Sequence, residues 1–162
     1  MTDISRQKGL ETAAANAGKA VSQGRRAHVL YVDDDEPLVY LATCILERLS
    51  YRVTGCTDPI EALEIFRNDS ESFDAVISDF FMPGLCGIAF AQAVLTIRTD
   101  IPILMTSGAV RHEDTEAIRN LGLADLILKP NTVEQLGQAL DDLLRRKPTR
   151  GNSLAPLRPL DV

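Results

Sequence analysis

Short apolar runs rich in β-branched residues alternate along the chain with stretches of helical periodicity. The first run is His28-Val29-Leu30-Tyr31-Val32, and Asp33-Asp34-Asp35-Glu36-Pro37 follows at once. Asp35 can cap a helix with Pro37 in its first turn. Leu38, Ala42, Ile45 and Leu49 then recur at helical spacing. Arg52 to Cys56 reads as a second strand. Asp58-Pro59-Ile60-Glu61 joins a cap, a first-turn proline and an acid three residues after the cap, which predicts a helix to about Asn68. The third strand ends on Asp79. Val76 and Ile77 suit a packed, pleated surface, and Met82-Pro83-Gly84 ends the regular structure. A helix carrying Phe90, Val94 and Ile97 comes next. Ile101 to Thr106 predicts strand four, which runs into Ser107-Gly108. Residues 112–121 read as a helix with few apolar anchors. Asp125 to Leu128 predicts strand five, ending in Lys129-Pro130. Thr132-Val133-Glu134-Gln135 is a capping box that opens a last helix with Val133, Leu136, Leu140 and Leu143 on one face.

Five strands alternating with five helices predict an α/β fold of the doubly wound type, a parallel sheet covered by helices on both faces. The carboxyl ends of parallel strands share one edge, where ligands bind in such sheets. Those ends carry Asp33 and Asp34, Cys56, Asp79, Ser107 and Lys129. All but the second strand bring a polar or charged group there.

Composition limits what that edge can belong to. The 162 residues are enough for one domain with a proper core, and 45% hydrophobic with 25% charged residues marks a globular chain. No apolar stretch approaches the roughly 20 residues of a membrane span, and the first residues lack the apolar stretch of a secretory signal. Cys44, Cys56 and Cys86 have no metal-ligand spacing, and their odd number and scatter suit reduced thiols in a cytoplasm. The first two are expected in the core and the third in a loop. The net charge of −6 hides an asymmetry. Residues 1–27 carry five cations against two acids and residues 145–162 five against one, which leaves −13 on residues 28–144. Such an acidic body is unsuited to phosphate backbones, so direct nucleic-acid binding is not expected. Residues 1–27 and 147–162, rich in Gly, Ala, Ser, Pro and charge, read as flexible tails around a domain at 28–146. Residues 1–25 and 149–162 lack periodic apolar anchors and are expected to be dispensable for its stability, the strip Leu154, Leu157 and Leu160 making the second the exception to watch.

Carboxylates gathered at one edge repel unless a cation offsets them. Magnesium prefers oxygen ligands and is typically held by one or two carboxylates and a phosphate. Asp34 and Asp79 are the best direct ligands, with Asp33 acting through water. A carboxylate beside magnesium and an ammonium can attack phosphorus and become an aspartyl phosphate. Lys129 can neutralise phosphoryl oxygens and Ser107 can donate to another. His28 and His112 read as structural or solvated.

Val32-Asp33-Asp34-Asp35, Asp79-Phe80-Phe81-Met82-Pro83-Gly84, Thr106-Ser107-Gly108 and Lys129-Pro130 closely resemble the motifs of receiver domains of bacterial two-component response regulators. The resemblance covers about residues 28–146. It implies the flavodoxin-like (βα)5 fold with strand order 2-1-3-4-5, a family with which the general rule for such sheets is itself illustrated. It implies Asp79 as phosphoacceptor, Asp33 and Asp34 as the acidic pair, and a magnesium site completed by the backbone carbonyl of Phe81. It further implies Ser107 as switch hydroxyl, five residues after Pro102, in preference to Thr106, and a cis bond before Pro130. The phosphodonor implied is a phosphohistidine on a sensor histidine kinase or a phosphotransfer domain. Such a domain is a signalling module, not an enzyme, catalysing only its own phosphorylation and dephosphorylation. The wording from Leu46 to Thr54 looks most like C-terminal receivers of hybrid sensor kinases, and a single-domain regulator is equally compatible.

Two positions depart from the family. Leu126 stands three residues before the lysine, where receivers often carry an aromatic ring that turns inward on activation. Phe81 is bulky for its place and is expected to shield the phosphoryl group from water. Three rivals are weaker. Haloacid-dehalogenase-like phosphatases carry a second aspartate where Phe81 stands. A pseudo-receiver would lack part of the acid, hydroxyl and lysine set. A nucleotide-binding domain would need a Gly-rich loop after the first strand.

Overall fold

The computed structural model describes residues 25–108, 118, 125–128 and 133–145. Its strands are β1 (His28–Val32), β2 (Arg52–Cys56), β3 (Ala75–Asp79), β4 (Ile103–Ser107) and β5 (Asp125–Leu128). The helices are α1 (Glu36–Arg48), α2 (Pro59–Asn68), α3 (Gly87–Ile97) and α4 (Val133–Arg145). The sheet is parallel throughout, in the order β2-β1-β3-β4-β5. The helix expected over residues 112–121, the capping residue Thr132, His112 and both tails apart from Arg25–Ala27 fall outside the described residues.

Period-two alternation divides the sheet between two cores. Leu30, Val32, Val76, Ile103 and Met105 face α2 and α3, where Phe66, Phe90 and Val94 are fully buried. Val29, Tyr31, Ala75, Ile77 and Leu104 face α1 and α4, through Ala42, Leu46, Leu136, Leu140 and Leu143. Each fully buried Leu or Phe contributes about 1.5–3 kcal/mol of transfer free energy.

Local chemistry starts and stops these elements much as expected. Asp35 Oδ1 accepts from the Leu38 N–H at 3.2 Å, and Asp58 Oδ1 from the Ile60 N–H at 2.7 Å. Two expectations shift. The buried stripe of α1 runs through Ala42 and Leu46, whereas Leu49 caps the helix with its side chain 42% exposed. A stripe read from Leu38 drifts off the core-facing side by the third turn. Strand four begins at Ile103 and includes Ser107, because Pro102 has no N–H for the ladder and offers its carbonyl to Val76 N–H at 3.0 Å instead. Just before β1, Ala27 is buried, and its carbonyl accepts from the Arg52 N–H at 2.8 Å.

His28 is the first residue of β1 and is buried. Its Nδ1 lies 3.2 Å from the Ser72 carbonyl and its Nε2 2.9 Å from Thr54 Oγ1. Burial, then the charge of Arg52, lowers its pKa below the usual 6.5. The unfolded chain therefore takes up this proton first as pH falls. Stability from neutral His28 is complete above about pH 6.5 and is lost below it. Urea midpoints are expected to fall between pH 7.5 and 5.5, with an imidazole NMR titration midpoint below 6.5. A midpoint above 6.5 would reverse the sign.

Candidate functional site

The parallel ladders carry the ends of β1, β3 and β4 to one edge and lock them there. The Asp33 N–H donates to the Cys56 carbonyl at 3.2 Å and the Phe80 N–H to the Thr106 carbonyl at 2.8 Å. Asp33 and Asp34 thus leave β1 beside Asp79, the last residue of β3. One carboxylate oxygen from each of the three lies within 4.8 Å of the others. Asp33 and Asp79 are buried and Asp34 is exposed. Asp35 is spent on the α1 cap, and its N–H donates to Asp33 Oδ1 at 3.0 Å, which helps fix that carboxylate. A donor set of carboxylate oxygens, partly open to water, fits a hard divalent cation.

Hydroxyls flank this trio. Ser107 and Thr106 are both buried at the end of β4. Thr106 is the register partner of Asp79, and its buried Oγ1 has no hydrogen-bond partner among the described residues. The sheet therefore brings both candidates to the edge, with Thr106 directly across from Asp79. Lys129 and Pro130 lie outside the described residues, as does their peptide bond.

After β3 the chain turns tightly. Met82 is buried, Gly84 adopts φ +82°, and the Gly87 N–H returns to the Phe80 carbonyl at 3.1 Å. Phe81 projects from this turn, 54% exposed, edge-on to the buried Phe80 at 4.7 Å between ring centroids. Cys86 is exposed and Cys44 half-buried, so only Cys56 sits fully in the core as expected. Burial pushes the Cys56 thiol up, and its Sγ donates to the Asp58 carbonyl at 3.3 Å, which leaves it unreactive.

Two residues of this edge were not singled out from the sequence. Tyr31, two residues before Asp33 on β1, shares that residue's face. Burial, then the charges of Asp33 and Asp79, raise its hydroxyl well above the ordinary tyrosine range, so it stays protonated beside them. The two-residue spacing was its only signal. Gly87 begins α3 against the backbone of Asp79 and Phe80, a contact that no local pattern encodes.

The response regulator receiver domain model matches residues 29–141. The chain is 36% identical over 119 residues to the two-component response regulator ARR14 of Arabidopsis thaliana, covering 74% of this chain and 31% of that one. It is 34% identical over 121 residues to ORR22 of Oryza sativa subsp. indica, covering 74% and 17% respectively. The chain thus spans a third or less of these relatives' length. Among solved structures, the chemotaxis protein CheY4 of Vibrio cholerae superposes with a TM-score of 0.69 at 29% identity, covering 74% of this chain and 99% of that one. The receiver domain of the hybrid histidine kinase CckA superposes with a TM-score of 0.62 at 24% identity, covering 74% and 100%.

Proposed function

The chain belongs to the response regulator receiver domain family, and on that premise we propose that Asp79 accepts a phosphoryl group from a phosphohistidine. The observation that carries this reading is the convergence of the Asp33, Asp34 and Asp79 carboxylates at the carboxyl edge of the parallel sheet. An oxygen of Asp79 attacks phosphorus, the P–N bond breaks, and its electron pair leaves on the donor imidazole. Asp33, Asp34, Asp79 and the Phe81 carbonyl would hold magnesium, whose charge offsets the phosphoryl oxygens and the acidic trio. Lys129 supplies a second positive charge and Ser107 a hydrogen bond to the product. Phe81, exposed at the mouth of the site, covers the phosphoryl group against water. The donor is a sensor histidine kinase or a phosphotransfer domain. The receiver works in the cytoplasm, either as the last domain of a hybrid kinase or as a free regulator. The output target is a protein that reads residues 107–121. Among the described residues no helix is long and apolar enough to cross a membrane.

Incubation with acetyl phosphate and magnesium, read by intact mass, tests the reading. One phosphoryl increment that vanishes in excess EDTA is expected. No increment, or full labelling in EDTA, would sink the acceptor or the metal role.

The switch makes a separate prediction. A phosphoryl group adds about −1.5 to −2 charge and strong acceptor oxygens. Ser107 is drawn toward it and pulls the chain that follows, while Leu126 has no ring to follow. Ser107→Ala should accept phosphate at Asp79 yet lose the beryllofluoride-induced change in hydrogen exchange over residues 107–121. Thr106 makes the control, because it lies across from Asp79 with its hydroxyl unsatisfied among the described residues. If Thr106→Ala loses the response and Ser107→Ala keeps it, the switch is Thr106.

A further inference from the structure

The opposite end of the sheet holds a second concentration of charge. Where β1 and β2 begin, Arg25, Arg26, His28, Glu47, Tyr51 and Arg52 line an open cleft of about 520 Å³. The chain entering β1 is tied to the start of β2 by the bond from the Arg52 N–H to the Ala27 carbonyl, at 2.8 Å. That bond brings Arg26 and Arg52 to one cleft.

Part of the wall is already neutralised. Arg25 Nη2 donates to both carboxylate oxygens of Asp74, at 2.8 and 2.9 Å, and the His28 N–H donates to Asp74 Oδ2 at 2.7 Å. Arg26 and Arg52 differ. Both are exposed, and neither has an ionic partner among the described residues. Glu47 is the one acid in the lining. On a body where residues 28–144 carry −13, cations have carboxylates to pair with. Two guanidinium groups without an ionic partner among the described residues, in one concavity, repel each other unless an anion sits between them. The acidic residues beyond about 10 Å are screened and do not cancel this local field.

We propose that this cleft binds the dianionic head of a phosphate monoester between Arg26 and Arg52. A guanidinium fork matches two phosphate oxygens in a way a point charge does not. The half-buried Tyr51 ring, fixed by its hydroxyl donating to Asp141 Oδ1 at 2.7 Å, gives the remainder of the ester an apolar wall. The volume lies in the range of small-molecule sites and exceeds that of a phosphate ion alone. The site is independent of Asp79, which lies at the other end of the strands.

Titration of the full chain with inorganic phosphate and with phenyl phosphate, in EDTA at pH 7.5 and followed by amide NMR, tests it. Saturable shifts centred on Arg26, His28, Tyr51 and Arg52 are expected, tighter for phenyl phosphate. Arg52→Gln should raise Kd about tenfold. Glu47→Gln should lower Kd, and Asp79→Asn should leave it unchanged. Shifts reproduced by sodium chloride at equal ionic strength, or kept at full affinity when Arg26 and Arg52 are both Gln, would overturn the site. Equal affinity for the two probes would overturn the ester.

Discussion

Asp79→Asn is expected to abolish phosphoryl transfer and, in the absence of magnesium, to raise the melting temperature. Both effects come from one oxygen becoming an amide of nearly the same shape. The nucleophile disappears, so intact mass after acetyl phosphate and magnesium should show no increment above background. The stability gain follows from the three carboxylates, whose oxygens lie within 4.8 Å of one another. Two unit charges that far apart repel by about 3 kcal/mol at an effective dielectric constant near 20. Exposure of Asp34 to water reduces what is recovered, to about 1–2 kcal/mol. For a domain of this size that is on the order of 5–10 °C. Magnesium should raise the wild-type midpoint and move the variant's far less. Labelling of the variant at wild-type level, or a lower midpoint in EDTA, would count against the acceptor and the charge cluster respectively.

Among the glycines of the described residues, Gly87→Ala should be the most damaging change. A Cβ on Gly87 would run into the backbone carbonyl oxygen of Asp79 and lie 2.9 Å from Phe80 Cα and 2.7 Å from the Met105 methyl. The methionine can move, but the two backbone atoms are held by the β3 and β4 ladders and cannot retreat without displacing Asp79. Overpacking against rigid backbone typically costs about 1–3 kcal/mol, here at the upper end, or a midpoint lower by about 10 °C or more. Phosphorylation should slow as well, because the strain falls on the acceptor's own carbonyl. Gly108→Ala is the control: a Cβ there meets nothing within 4 Å among the described residues. Equal midpoints for the two variants would mean that α3 can slide off the strand end at little cost.

Most of the fold was legible because its signals are local. Caps at Asp35 and Asp58 and first-turn prolines each act within a few residues, and the structure places these helix starts as read. The acidic edge was legible for a different reason. Parallel topology converts two separate strand ends, those of β1 and β3, into one place, so Asp33, Asp34 and Asp79 needed only correct strands to converge. What failed was phase and long-range contact. The α1 stripe was off by the residual angle of a helix read from its first turn, which missed Leu46. The start of β4 was misplaced because Pro102 looks apolar in a hydropathy pattern while lacking the donor a ladder needs. Gly87 and the Arg26–Arg52 cleft depend on neighbours far along the chain, and no window of sequence contains both partners.

The sheet order has a consequence for biosynthesis. β1 is emitted before β2 and β3, yet it lies inside the sheet, with β2 on one side and β3 on the other. Its register partners on the second side begin at Ala75. A nascent chain that has produced α2 but not β3 therefore presents the uncharged run His28–Val32 with one row of backbone donors and acceptors unpaired, the arrangement that recruits foreign strands. Chains stalled or clipped between Asn68 and Ala75 should be captured by holdase chaperones or form insoluble aggregates. Those stopped after Asp79, with β1 flanked on both sides, should leave the ribosome with that hazard already closed.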